Sequence, residues 1–191
     1  MIQSKEDFIR YLHSDMQCYY TRIRKERFIC WLTRDPICCI ARYIRYLRKE
    51  EYYYNVRRDV LGKFLRYYYL RKKNSLGNKL GLKVPMNCVG AGLTIYHHGE
   101  VIINESAVIG DNCKLHGGNC IGNNGYDDRN PRIGNNFDCG IGAKVIGNIE
   151  LGDDIRVGAN AVVITSCKKG NTVLAGVPAR EKEQRRHSGK S

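Results

Sequence analysis

From Ile103 onward an apolar residue returns at every sixth position, through Ile109, Leu115, Ile121, Ile133, Cys139, Val145, Leu151, Val157 and Val163. Glycine follows that column at Gly110, Gly122, Gly134, Gly140, Gly152 and Gly158. A second column runs through Ile95, Val101, Ala107, Cys113, Phe137, Ala143, Ile149, Ile155 and Ala161. A six-residue period held in phase over this length is neither a helix repeat nor the alternation of a lone strand. It predicts a coiled parallel β structure whose sides turn a corner at a fixed position and whose inward aliphatics stack into one continuous core. Three sides of six give a coil of about 18 residues. The step from Ile121 to Ile133 is twelve, so the phase survives, and residues 122–132, with GNNGYDDRNP, read as a loop pushed out of a regular coil.

Residues 1–80 follow another rule. FIRYLHSD, CIARYIRYLRKEEYYY and VLGKFLRYYYLRKK read as amphipathic helices. Asp35-Pro36 is a helix start, with Asp35 as the cap and Pro36 in the first turn. NSLGNKLGLKVP, rich in Asn, Gly and Pro, closes the helical part. The fold class expected is thus mainly β: a parallel β-helix over 81–180, preceded by an α-helical domain over 1–80 and followed by a polar tail over 181–191.

Composition narrows the function classes. Nine cysteines, an odd number without CxxC spacing, indicate neither a disulfide framework nor a zinc site, and no metal is expected. The apolar run FICWLTRDPICCIARYI is broken by Arg34, Asp35 and Arg42, and the charged start MIQSKEDFIRYLHSD lacks the apolar core of a secretory signal, so a cytoplasmic location is expected. The net charge of +13 is concentrated in residues 1–80, which hold 19 Lys and Arg against 8 Asp and Glu, and 11 of the 13 tyrosines. Basic residues interleaved with aromatics occur in nucleic-acid surfaces. Here YYY recurs at helical spacing beside Leu and Ile, so helix packing with a solvated cationic face is the better account and no nucleic acid is expected. A weak peripheral contact with an anionic membrane face is kept open.

Counting back from Ile103, an aliphatic is due at position 97 and His97 stands there. A histidine in that slot loses packing. It is either a satisfied core or subunit-interface residue, or a base: an imidazole titrates near neutral pH and can take a hydroxyl proton. His98 is off the column. His116 lies about one 18-residue coil further on and can line the same cleft.

The array, with HHGEVIINESAVIGDN, DRNPRIG, GIGAKVIGNIELGDDIRVGANAVV and AGVPAR in order, resembles the hexapeptide-repeat, left-handed β-helix acyltransferases, and the serine O-acetyltransferase branch in particular. The resemblance implies acetyl-CoA as donor, a homotrimer with sites between subunits, and His97 as general base. His98, Glu100 and His116 are then supporting residues around that base. For the donor it implies contacts of the CoA arm at Ile141 and Ala159. Beside these, the small residues of GIGAK and GANA, Gly140 among them, let a pantetheine arm approach the backbone, and Lys144, Lys168 and Arg180 supply cations near the C-terminal coils, although corner geometry is the better account of most Gly and Ala of the repeat. On the acceptor side it points to Asp35, Tyr96, Arg129 and Asn130, and there the chain departs from the family. Tyr96 stands where those enzymes have Asp, Asn130 where they have His, and Leu82 near where a carboxylate would orient the base. These changes remove groups that read an amino acid's ammonium and carboxylate. Together with LRKEEYYYN and GAGLTIYHHG they are similar to enzymes of surface-polysaccharide biosynthesis, so a sugar hydroxyl is the acceptor expected and serine the main alternative. A purely structural β-helix or a basic binding protein is the non-enzymatic alternative.

Overall fold

The computed structural model describes residues 1–126 and 128–182, with side chains 20–27 and 31 left aside. Most of the polar tail therefore lies outside the described residues. Three helices come first: α1 (Lys5–Thr33), α2 (Pro36–Asn55) and α3 (Val60–Leu80). Asp35 caps α2, its carboxylate accepting from the Ile37 N–H at 2.8 Å, and Pro36 opens the helix. α3 runs through Asn74 and Gly77, which the sequence suggested as the close of the helical part, and ends only at Gly81 in the left-handed region, φ 68°. Gly77 survives inside the helix because a Cβ there would lie 2.5 Å from the Leu82 carbonyl oxygen and 2.9 Å from the Tyr43 ring.

The remainder is the left-handed parallel β-helix, built from strands of two or three residues on three faces. On one face Ile103, Ile121, Val145 and Val163 lie in register; on the second, Ile109, Ile133 and Leu151; on the third, Ile95, Leu115, Cys139, Val157 and Leu174. Both apolar columns point inward and form one core that continues into α2 through Ile40, Tyr43, Ile44 and Leu47. Asn112, Asn136, Asp154 and Asn160 take positive φ at the corners, where short polar side chains tolerate the left-handed region. Asn112 donates to Asn136 at 2.9 Å and Asn136 to Asp154 at 3.0 Å, so one corner is a ladder of side-chain hydrogen bonds.

The registers show that the coils differ in length. Cys139 pairs with Val157 eighteen residues on, Leu115 with Cys139 twenty-four on because of the loop, and Ile95 with Leu115 twenty on. The first coil thus carries two surplus residues between Ile95 and Val101.

The open top of the β-helix is sealed by α1 and α2. Asp15 accepts from the N–H groups of Gly92 (2.7 Å) and Leu93 (2.9 Å), and the Tyr19 hydroxyl both donates to the Ile95 carbonyl (2.8 Å) and accepts from the Ile95 N–H (2.9 Å). Arg48, fully buried, pairs with Asp15 and Glu51 and donates to the carbonyls of Val89 and Gly90. An edge strand exposes unpaired backbone groups, and these side chains satisfy them. The flanking carboxylates hold the Arg48 guanidinium charged, against the opposing effect of its burial.

Candidate active site

The surplus residues decide where His97 sits. The inward slot expected at 97 belongs to Ile95, two residues earlier, and residues 96–100 form a widened corner on which His97, His98 and Glu100 are exposed. His97 therefore does not replace a core aliphatic; it stands outside the stack on an extension of the first coil. Under it lies the corner of the second coil. Gly117, at φ 105°, passes so close that a Cβ would come within 3.3 Å of the His97 Cβ, and only glycine combines that dihedral with that approach. Among the described residues the His97 ring has no hydrogen-bond partner. Leu82 is buried at the start of the β-helix, paired with Val101, and Glu100 points into solvent at φ 41°.

The Gly117–Gly118 corner is held by a residue that sequence reasoning missed. Asn119 occupies an inward slot that is aliphatic in the other coils and is 1% exposed. Its Oδ1 accepts from the Gly117 N–H at 2.9 Å and its Nδ2 donates to the Gly140 carbonyl at 2.8 Å. Lys144, expected at the donor, reaches back to donate to the Gly118 carbonyl instead. The N–H groups of Gly118 and Gly140 are already bonded, to the carbonyls of Gly99 and Val157, so neither is free to stabilise an oxyanion.

Because the first coil holds 20 residues, His116 registers with Tyr96 rather than with His98. The two rings lie 4.6 Å apart, tilted by 31°. His116 Nε2 is 2.9 Å from Asp138 Oδ1, and both side chains are about one-third exposed. Burial, followed by the neighbouring Cys18 and Asp138, moves the Tyr96 phenol upward from its ordinary range. Asp138 was absent from the sequence reading; the signal was its outward position one inserted 24-residue coil after Lys114.

The other expected residues scatter. Asp35 is committed to capping α2, far from the first coil in sequence and in role. Arg129 lies exposed on the loop, while Asn130 is buried, donating to the Asp128 carbonyl at 2.8 Å and leaving its Oδ1 without a partner among the described residues. Ile141 and Ala159 are both exposed, and the Asn160 N–H donates to the Ile141 carbonyl, so the pair forms an apolar step across two adjacent coils. Gly140 is pressed against the Val157–Ala159 backbone and serves the corner. Lys168 pairs with Glu150 at 2.6 Å, and Arg180 is exposed on the closing strand, Arg180–Lys182, which pairs antiparallel with Val173–Ala175. Cys113 and Cys139 sit in the core, where burial raises both thiols, that of Cys139 to about 12; they are not nucleophiles.

No family model matches the chain. It is similar to the serine acetyltransferase of Synechococcus elongatus, 39% identical over 94 residues, which are 48% of this chain and 38% of that protein. With the Helicobacter pylori J99 serine acetyltransferase it shares 42% over 88 residues, 45% and 52% of the two chains. The fold aligns with Brucella abortus serine acetyltransferase over 93% of this chain and 70% of that one, TM-score 0.71 at 25% identity. A serine acetyltransferase in complex with CoA aligns over 94% and 72%, TM-score 0.70 at 24% identity. The chain is thus a hexapeptide-repeat protein that is similar to serine acetyltransferases in sequence over about half its length and in fold over nearly all of it. It spans roughly half the length, or less, of the curated relatives it matches. No described helix is long and apolar enough to cross a membrane, and no described group of His, Cys, Asp and Glu is placed to hold a metal.

Proposed function

We propose that this serine acetyltransferase-like chain is an acetyl-CoA-dependent O-acetyltransferase with L-serine as acceptor and His97 as general base. The observation that carries the reading is the widened first corner, which presents to solvent an imidazole without a hydrogen-bond partner among the described residues. A CoA complex is known for one of the aligned serine acetyltransferases, and the exposed Ile141–Ala159 step with Arg180 beyond it suits an extended pantetheine arm and its phosphates. His97 takes the hydroxyl proton as the acceptor oxygen attacks the thioester carbonyl. The carbon–sulfur bond then breaks, and the CoA thiolate leaves and is protonated in turn. No acyl-enzyme is needed, since the core cysteines are out of reach. The working unit is a homotrimer, to be checked by light scattering.

The sugar-hydroxyl acceptor of the sequence reading is the second reading. The Tyr96–His116 ring pair favours it, because aromatic faces suit sugar rings, whereas the Synechococcus elongatus and Helicobacter pylori relatives are serine acetyltransferases. The experiment is thiol release from acetyl-CoA with L-serine, beside His97→Ala and a no-acceptor blank. Serine-dependent release abolished in His97→Ala is the expected result. Release no faster than the blank refutes serine, and release that survives His97→Ala refutes the base.

A further inference from the structure

The groups that would read serine's ammonium in the usual places are missing at Tyr96 and Asn130, yet the structure assembles a carboxylate and an imidazole elsewhere on the same corner. Ile95, Leu115 and Cys139 point inward and in register, so Tyr96 and His116, which follow the first two, share an outward row, and Asp138, which precedes the third, stands beside them. Three consecutive coils thus contribute one residue each. His116 Nε2 is 2.9 Å from Asp138 Oδ1, and the Tyr96 ring covers the imidazole at 4.6 Å. With the Asp138 carboxylate accepting the Nε2 proton, Nδ1 of the neutral ring is left as an acceptor, and the second carboxylate oxygen is another. His116 directly precedes Gly117, over which His97 lies, so these acceptors and the base border one corner.

We propose that His116 and Asp138, with Tyr96 as their cover, form the acceptor-reading part of the site. The pair takes the hydrogen-bond donor that flanks the reacting hydroxyl, which in L-serine is the α-ammonium. This rests on the O-acetyltransferase reading above. A partly exposed hydrogen-bonded pair with only a structural role contributes little to stability and nothing to acceptor selectivity. A site lined by two acceptors instead selects donors, so 3-hydroxypropanoate, which is serine without its amine, is a poor substrate.

The test compares L-serine with 3-hydroxypropanoate in the wild type, Asp138→Asn and His116→Phe; the last keeps the ring stack and loses the hydrogen bond. Losing a charged hydrogen bond raises KM for L-serine by about tenfold to a hundredfold while KM for acetyl-CoA stays within about twofold, and the preference for serine shrinks by the same factor. An unchanged KM for serine in both variants overturns the proposal. A second measurement does not depend on turnover. In the 15N-histidine NMR spectrum, L-serine shifts the His116 ring signals, assigned by their absence in His116→Phe, and leaves those of His13 in place. If the wild type acetylates no serine, the functional reading falls by itself. The NMR titration then decides this one, and His116 signals that stay fixed at saturating serine overturn it.

Discussion

Replacing Tyr19 by phenylalanine removes one oxygen and keeps the buried ring, so it isolates the seal over the first coil. That oxygen is the partner of both backbone groups of Ile95, at 2.8 and 2.9 Å, and Ile95 is wholly buried. Among the described residues no earlier strand lies on the face of Ile95 to pair with them. Each orphaned group costs about 1–3 kcal/mol, and the hydroxyl's own desolvation is recovered, so a net loss of about 2–4 kcal/mol follows. Tyr43 offers an internal scale. Its hydroxyl accepts a single bond, from the Val84 N–H at 2.9 Å, and Tyr43→Phe is expected to cost about half as much. Urea unfolding measures both, as a lowered midpoint at constant slope. Hydrogen exchange at the Ile95 amide then speeds up by about thirtyfold or more in Tyr19→Phe, as a loss of that size requires. Because Ile95 is followed at once by Tyr96 and His97, kcat/KM falls as well. A Tyr19→Phe protein within about 0.5 kcal/mol of the wild type, with Ile95 exchange unaltered, refutes the argument that α1 completes the first coil.

Asn119→Val restores the aliphatic residue of the other coils but strands the Gly117 N–H and the Gly140 carbonyl, so stability drops by about 1–3 kcal/mol and kcat/KM declines with the loosened corner; urea titration and serine kinetics on one preparation check both. Stability also erodes in alkali. Burial pushes the Tyr43 phenol up to about 12 and the Tyr19 phenol upward too, against about 10 for a free phenol. Their contribution is complete below about pH 10 and is lost as pH rises towards the folded values, by about 1.4 kcal/mol per pH unit for each phenol. Urea midpoints across that range fall in the wild type and fall less in Tyr43→Phe. Iodoacetamide at mildly alkaline pH modifies exposed Cys18 and spares Cys113 and Cys139 until the protein unfolds, as peptide mapping will show; modification of Cys113 as fast as Cys18 contradicts the buried placement.

What the sequence made legible was whatever points inward. The aliphatic columns exist because every coil must bury the same two slots per side, so the β-helix, its phase across the loop and the Asp35 cap of α2 could all be read directly. Outward partners depend on coil length, and along the third face successive coils take 20, 24, 18 and 17 residues without interrupting the inward stack. Counting in eighteens therefore set His116 against His98 instead of Tyr96, and hid Asp138. The same blindness turned His97 into a broken core slot, because a two-residue surplus at an exposed corner leaves no periodic trace. Asn119 was hidden for the opposite reason: a polar residue in an inward slot looks like an irregularity until its bonds to Gly117 and Gly140 are seen. The seal made by Asp15, Tyr19 and Arg48 draws on helices far away in the chain, which no local pattern connects to Gly92 or Ile95.

A stack of equivalent coils has translational symmetry, and a symmetric object has no address at which to put a reaction. Were every coil of this helix identical, a base at one corner would be a base at all of them, and neither donor nor acceptor would have a reason to choose. The two surplus residues of the first coil break that equivalence at one corner, as the loop over 122–132 breaks it at another, and they lie outside the inward stack. They act as a coordinate origin: His97 above, Gly117 beneath and the His116–Asp138 pair alongside are all located by their distance from that defect.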